Sequence, residues 1–96
     1  MSTKSEAIVV IFEFPGVAAH QYDQVLKGLE ERDALYQKER PYHVAAPTAD
    51  GWLVVDVWAS AEAFSQFGQT LMPLAQSAGI TPPQPRIYPV YNTMED

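Results

Sequence analysis

The 96-residue chain contains no cysteine. That absence removes disulfide bridges, thiolate metal ligands and a cysteine nucleophile together. Basic residues are also scarce, with 6 Lys and Arg against 12 Asp and Glu and a formal net charge of −6. Two of the bases, Arg32 and Lys38, lie among acids, so no basic stripe forms. Phosphate neutralisation needs clustered cations; nucleic acid is therefore not an expected partner, and anionic membrane surfaces are disfavoured for the same reason. No apolar run approaches the roughly 18 residues that a membrane span requires. Residues 1–6 are polar and mixed in charge, unlike a secretory leader, which makes the cytoplasm the expected compartment. There is no phosphate-cradling glycine loop and no Gly-x-Ser-x-Gly elbow. The two histidines, His20 and His43, stand apart without a ligand triad, so neither a metal nor another cofactor is expected.

What remains is an apolar, strand-rich pattern. Hydrophobic residues make up 47% of the chain, a large share for a size that suits a single domain over residues 1–96 with an ordered core of about residues 7–91. Residues 7–14 (AIVVIFEF) form a β-branched and aromatic run stopped by Pro15-Gly16, a strand followed by a turn. Both alternating faces are apolar, with Ile8, Val10 and Phe12 on one and Val9 and Ile11 on the other. Tyr22, Val25, Leu26 and Leu29 then recur at helical spacing with Asp23, Lys27, Glu30 and Glu31 between them, which predicts an amphipathic helix from Ala18 to Leu35. Residues 36–41 read as a polar connection.

Residues 42–48 and 52–58 predict a hairpin whose two loop residues are Asp50 and Gly51, with Gly51 at positive φ. Ser60 suits a helix N-cap, and Glu62 in the first turn suits the helix dipole. Phe64, Phe67, Leu71 and Leu74 carry the buried stripe of this second helix; Pro73 predicts a kink or a split near Met72. Gly79 is the expected C-cap. Residues 86–91 (RIYPVY) predict a last strand that Pro89 marks as an edge or a bulge.

The order is β-α-β-β-α-β. With right-handed crossovers it leads to an α+β, ferredoxin-like fold, a four-stranded antiparallel sheet of order 4-1-3-2 with two helices on one face. The uncovered face is apolar, and pairing two sheets face to face into a dimeric α/β barrel would bury it. A homodimer is the expected assembly.

A two-residue Asp50-Gly51 loop makes the numbers of cross-strand partners sum to about 101, so that Thr48 faces Leu53, Ala45 faces Asp56 and His43 faces Trp58. His43, Ala45, Pro47, Val54, Asp56 and Trp58 then share one face, with Trp52 at the turn end, while Tyr42, Val44, Ala46, Leu53, Val55 and Val57 share the other. The first face is the candidate site. His43 and Asp56 would be diagonal neighbours, and a carboxylate flanked by apolar residues needs a partner. A His–carboxylate pair beside an indole suits orienting a phenolic or ketone ligand and moving a proton at neutral pH. An alternative stays open, in which Asp56 pairs with a basic side chain and Trp58 packs in the dimer interface. Arg86, the last base in the chain, is a candidate partner for Asp56 or for an anionic ligand. Tyr22, Phe64 and Phe67 are core-spaced and also candidates for lining a cavity. His20, at the start of the first helix, is expected to be exposed, and Glu13 to face a pocket mouth or solvent.

Residues 53–64, LVVDVWASAEAF, resemble the third strand, short turn and Glu-Ala-Phe helix start of antibiotic-biosynthesis-monooxygenase-like families within the dimeric α/β-barrel superfamily. The likeness extends as pattern over about residues 7–91. It implies a homodimer that takes a small hydrophobic or aromatic ligand and acts as a cofactor-independent monooxygenase or polyketide cyclase, or else a non-catalytic ligand-binding or structural dimer. By the residue reading above, His43 and Asp56 would manage the proton and Trp58, Trp52, Tyr22, Phe67 and Arg86 would contact substrate; the likeness itself implies that Trp58, with Tyr42 or Tyr22, stands in for the family's pocket Trp and Tyr. The haem-degrading branch places an axial His on its second helix, and no His follows His43 here. The polyketide branch surrounds an oxidisable phenol with Trp, Tyr and Asn, and the sole Asn here is Asn92 in the tail.

Overall fold

The computed structural model describes residues 6–94. Six elements follow one another: β1 (Ile8–Pro15), α1 (Ala19–Glu31), β2 (Tyr42–Thr48), β3 (Gly51–Trp58), α2 (Ala61–Ser77) and β4 (Arg86–Pro89). The four strands form one antiparallel sheet in the order β2-β3-β1-β4, the expected ferredoxin-like arrangement read from the opposite edge. No helix among the described residues is long and apolar enough to cross a membrane.

Both helices lie on one face of the sheet. Val10 and Trp58 from the sheet join Val25 and Leu29 of α1 and Phe67, Leu74 and Ala75 of α2 in the core. Trp58 is 1% exposed; an indole withdrawn this far removes on the order of 200 Å² from water, worth about 5 kcal/mol before entropy is counted. The opposite face carries Val9 and Ile11 from β1, Val44 from β2, Val55 and Val57 from β3 and Tyr88 from β4, all in lateral register. Among the described residues no element covers it, and Val44 and Tyr88 remain 59% and 50% exposed.

Both helices end in the same device. At the end of α2, Ile80 N–H donates to the Ala75 carbonyl and Gly79 N–H to that of Gln76, with Gly79 at φ 78°, a Schellman motif whose apolar Ile80 folds into the core. At the end of α1, Ala34 N–H reaches the Leu29 carbonyl and Asp33 N–H that of Glu30, with Asp33 at φ 55°. The first helix therefore stops at Glu31, short of the predicted Leu35, because Asp33 tolerates the left-handed conformation that closes it. Ser60 caps α2 as expected, its Oγ accepting from Ala63 N–H at 3.1 Å. α2 is not split at Pro73. Leu74, Ala75 and Ala78 beyond the proline are all buried, and their burial holds the last turn against the lost hydrogen bond.

The hairpin register differs from the sequence-based expectation. Partner numbers sum to 99: His43 faces Asp56, Tyr42 faces Val57 and Thr48 faces Gly51. The loop residues are Ala49 and Asp50, and Gly51 is the first residue of β3 without positive φ. Gly51 is required for closeness. A Cβ there would stand 2.0 Å from the Phe14 carbonyl oxygen, where the end of β1 pairs with the start of β3, and Gly16 N–H donates to the Asp50 carbonyl at 2.7 Å. A shift of two residues preserves the parity of a strand, so the predicted faces survive the wrong register.

Candidate functional site

Asp56 lies in the middle of β3 between Val55 and Val57, and alternation aims it toward the helix layer with Val54 and Trp58. It is 6% exposed, the one charged residue that is buried among the described residues. A carboxylate so placed is tolerable only with a hydrogen-bonding partner. His43 provides it from directly across the ladder on β2, its Nδ1 lying 2.5 Å from Asp56 Oδ1. β2 is the edge strand of the sheet, and this leaves the His43 side chain 28% exposed.

The chain of hydrogen bonds continues. Tyr22, on the sheet-facing side of α1, brings its hydroxyl to 2.7 Å from His43 Nε2, with the two rings parallel within 4°. Proton positions follow from the partners. An ionised carboxylate only accepts, so His43 Nδ1 carries the proton and donates to Asp56. In the neutral ring Nε2 is then bare and accepts from Tyr22 O–H. The result is a directed relay from Tyr22 through His43 to Asp56. Trp52 also packs on Tyr22, centroids 5.2 Å apart, and helps hold the phenol against the hairpin. Burial raises the Tyr22 pKa above the ordinary value of 10.0, and the negative charge of Asp56 raises it further; the positive charge of Arg40 partly offsets both, and Asp23 adds a small rise. Tyr22 is therefore held as the neutral phenol.

The other predicted residues divide. Trp58 and Phe67 pack against each other, centroids 5.1 Å apart, at the α2 side of the same sheet face. Trp58 packs in the core on the helix side of the sheet rather than on the uncovered face. It also forms part of the wall of a shallow cavity of ≈ 180 Å³ with Gln37, Glu39, Ala63, Gln66, Phe67 and Thr70. A second cavity of ≈ 180 Å³ lies by Trp52, between Glu13, Phe14, Pro15, Thr48, Asp50 and Leu53. His43 lines neither, and both are smaller than the roughly 300 Å³ at which pockets for drug-sized ligands begin. Arg86 is not near Asp56. It pairs with Glu13 at 2.6 Å on the uncovered sheet face, both side chains largely exposed, because the register of β4 on β1 sets Arg86 opposite Ile11. His20 is exposed on α1. Among the described residues no three His, Cys, Asp or Glu side chains gather closely enough to hold a metal ion.

One residue of this region escaped the sequence reading. Arg40, in the connection before β2, lays its guanidinium over the rings of both Trp58 and Phe67, 5.6 and 5.4 Å from their centroids. An irregular connection has no periodicity from which its facing could be read. The Glu39 carbonyl accepts from Ala59 N–H at 2.7 Å, and this link draws the connection against the end of β3 and places Arg40.

No model of a known protein family matches the chain, and no curated protein matches it in sequence. Solved structures do. A putative antibiotic biosynthesis monooxygenase from Deinococcus radiodurans superposes with a TM-score of 0.56 at 9% identity, over 94% of this chain and 97% of that one. A conserved protein from Methanosarcina mazei Go1 superposes with a TM-score of 0.54 at 10% identity, over 90% and 92%. At such identities the likeness is one of fold: the βαββαβ arrangement is shared along nearly the whole length of each chain.

Proposed function

We propose that the chain binds a small phenolic or enolisable molecule and removes a proton from it, with His43 as the general base, in the manner of a cofactor-independent monooxygenase or cyclase. The observation that carries this reading is the Tyr22–His43–Asp56 relay. Asp56 fixes the tautomer and steadies the imidazolium that forms, while Nε2 faces the phenol oxygen of Tyr22, the position that a substrate hydroxyl would take over. The neutral Tyr22 is suited to return a proton to an anionic intermediate. The fold shared with a putative antibiotic biosynthesis monooxygenase supports the choice of substrate class. For oxygenation the balance is closed by dioxygen alone: a hydroxyarene and O2 give a quinone and water, and the substrate supplies the electrons.

The reading includes a second copy of the chain on the uncovered sheet face. Valines, isoleucine and tyrosine fill that face around a single Glu13–Arg86 pair, and an isologous pairing would bury it without stranding a charge.

Anthrone and 1-naphthol serve as probes in an oxygen electrode, with deuterium exchange at the acidic C–H followed under anaerobic conditions. Monooxygenation consumes one O2 per quinone formed. A cyclase exchanges deuterium without consuming oxygen. His43→Gln, which keeps a donor for Asp56 and removes the base, abolishes either activity. Wild-type rates no higher than those of His43→Gln would favour a second reading, a non-catalytic ligand-binding dimer. Two features support that alternative: Nε2 is already satisfied by Tyr22, and neither cavity opens on His43.

A further inference from the structure

Arg40 combines features that do not fit a purely structural cation. The chain carries twice as many carboxylates as bases, yet neither ion pair among the described residues involves Arg40. Of the five N–H donors of its guanidinium, one bond is made, from Nη2 to the Leu35 carbonyl at 3.1 Å. The remaining donors project from a half-buried group whose planar face is occupied by Trp58 and Phe67. Beside it the indole Nε1–H of Trp58, a residue 1% exposed, is buried with no acceptor. Orphaned buried donors are uncommon in folded proteins. Trp52 Nε1–H is the other such donor among the described residues, but it is on Trp58 that Arg40 stacks. A solvent-reaching cation without a counter-ion and a buried N–H without an acceptor thus belong to side chains in contact, and one group that accepts hydrogen bonds and carries negative charge would serve both.

The position relative to the relay is specific. Asp56 and Trp58 are two residues apart on one face of β3, about 7 Å along the strand, close to the span of one aromatic ring with its substituents. We propose that Arg40, with the indole N–H of Trp58, is the anion-receiving and specificity-determining end of the ligand site, selecting aromatic molecules that carry or develop an oxyanion, of the phenolate or enolate class. The charge of Arg40 already reaches the relay, where it opposes that of Asp56 at the Tyr22 hydroxyl. Base and cation would then divide the work: His43 takes the proton, and Arg40 holds the charge left behind. This assignment deepens the proton-abstraction reading and rests on it for the origin of the charge, whereas the capture of a preformed anion can be tested separately.

The probe is 4-nitrophenol, whose phenolate has its own visible absorption band, with 4-nitroanisole as the neutral isostere. Binding is read by quenching of Trp58 fluorescence in a Trp52→Phe background. Wild type should bind the phenolate more tightly than the anisole by about tenfold, the scale of one charge-assisted hydrogen bond, and bound probe should ionise at lower pH than free probe. Arg40→Gln should abolish both effects with an unchanged circular dichroism spectrum, and Arg40→Lys should retain most of them. Without any substitution at Arg40, benzoate should displace the probe and benzamide should not. An Arg40→Gln protein that keeps the preference, equal binding of phenolate and anisole, or binding of neither overturns the proposal. His43→Gln separates it from the catalytic reading. That variant should keep the anion preference while losing proton exchange, and an anion preference in a wild type that catalyses nothing would leave Arg40 as the anchor of a binding protein.

Discussion

Two Gly→Ala substitutions should move stability in opposite directions, and the structure gives the size of each. At Gly51 the added methyl would meet the Phe14 carbonyl oxygen at 2.0 Å and Gly16 N and Phe14 C at 2.9 Å. All three are backbone atoms, so no rotamer relieves the overlap. The β1 end and the hairpin must separate, which strains the Pro15–Gly51 pairing and the Gly16–Asp50 hydrogen bond. Overpacking typically costs 1–3 kcal/mol, and with only backbone to yield the upper end applies, about 3 kcal/mol. Gly68, inside α2, has nothing within 4 Å of its would-be Cβ and no positive φ. Alanine there should stabilise by roughly 0.5–1 kcal/mol through helix propensity and lost unfolded-state freedom. With a urea m-value near ~1 kcal/mol per molar for a domain of this size, the midpoints of the two variants should differ by more than about 3 M, measured at one protein concentration so that any association contributes equally. A Gly51→Ala protein with the wild-type midpoint would refute the close approach of the β1 end to Gly51, and with it the placement of Gly51 in β3 that sets the register of His43 opposite Asp56.

Three further outcomes follow from the same geometry. His43→Ala strands the Asp56 carboxylate and should cost about 1–3 kcal/mol in equilibrium unfolding, less than for a fully enclosed pair because His43 reaches solvent, and His43→Gln should recover most of that loss. Since the Tyr22 pKa is raised in the folded state, its contribution is complete below the ordinary tyrosine range and is lost as pH rises through the displaced value. The Tyr22 phenol, identified by difference from Tyr22→Phe, should therefore titrate late in an alkaline absorbance titration, and Asp56→Asn should bring it only part of the way back, because burial is the larger cause. Val55→Glu, at the centre of the uncovered sheet face between Ile11 and Val44, should convert a species of about twice the 10.7 kDa chain mass into a folded monomer by sedimentation. A wild-type protein that is already monomeric would remove the paired sheets from the account.

The strands, the helices and their order could be read from the sequence because each rests on strong local periodicity or on a named cap, such as Ser60 and Gly79. The paired faces were legible for a more fragile reason. The Asp50-Gly51 dipeptide fits a two-residue turn, and the turn lies one residue earlier because Gly51 answers to the Phe14 carbonyl, a contact across the sheet that no local pattern encodes. The resulting error of two residues kept His43, Asp56 and Trp58 together, where an error of one would have sent them to the opposite face. The pairing of His43 with Asp56 came from the cost of leaving a carboxylate in an apolar strand. The third member of the relay did not: Tyr22 has core spacing in α1, and only the packing of that helix on the sheet turns its hydroxyl toward Nε2. Arg86 misled as the last base in the chain, because β4 presents it to the uncovered face where Glu13 waits. Arg40 was invisible for want of any regular structure around it.

The direction of the relay is the central claim, and the protonation state of each nitrogen of His43 tests it most directly. A long-range 1H–15N correlation spectrum of uniformly labelled protein, at a pH where the imidazole is neutral, distinguishes a protonated ring nitrogen from a bare one. His20, exposed on α1, provides an internal reference, and His43→Gln assigns the signals. A protonated Nδ1 and a bare Nε2 at His43 are predicted, fixed by Asp56 on one side and Tyr22 O–H on the other. A protonated Nε2, or two averaged nitrogens like those of a freely exposed ring, would contradict the relay and the base assigned to it.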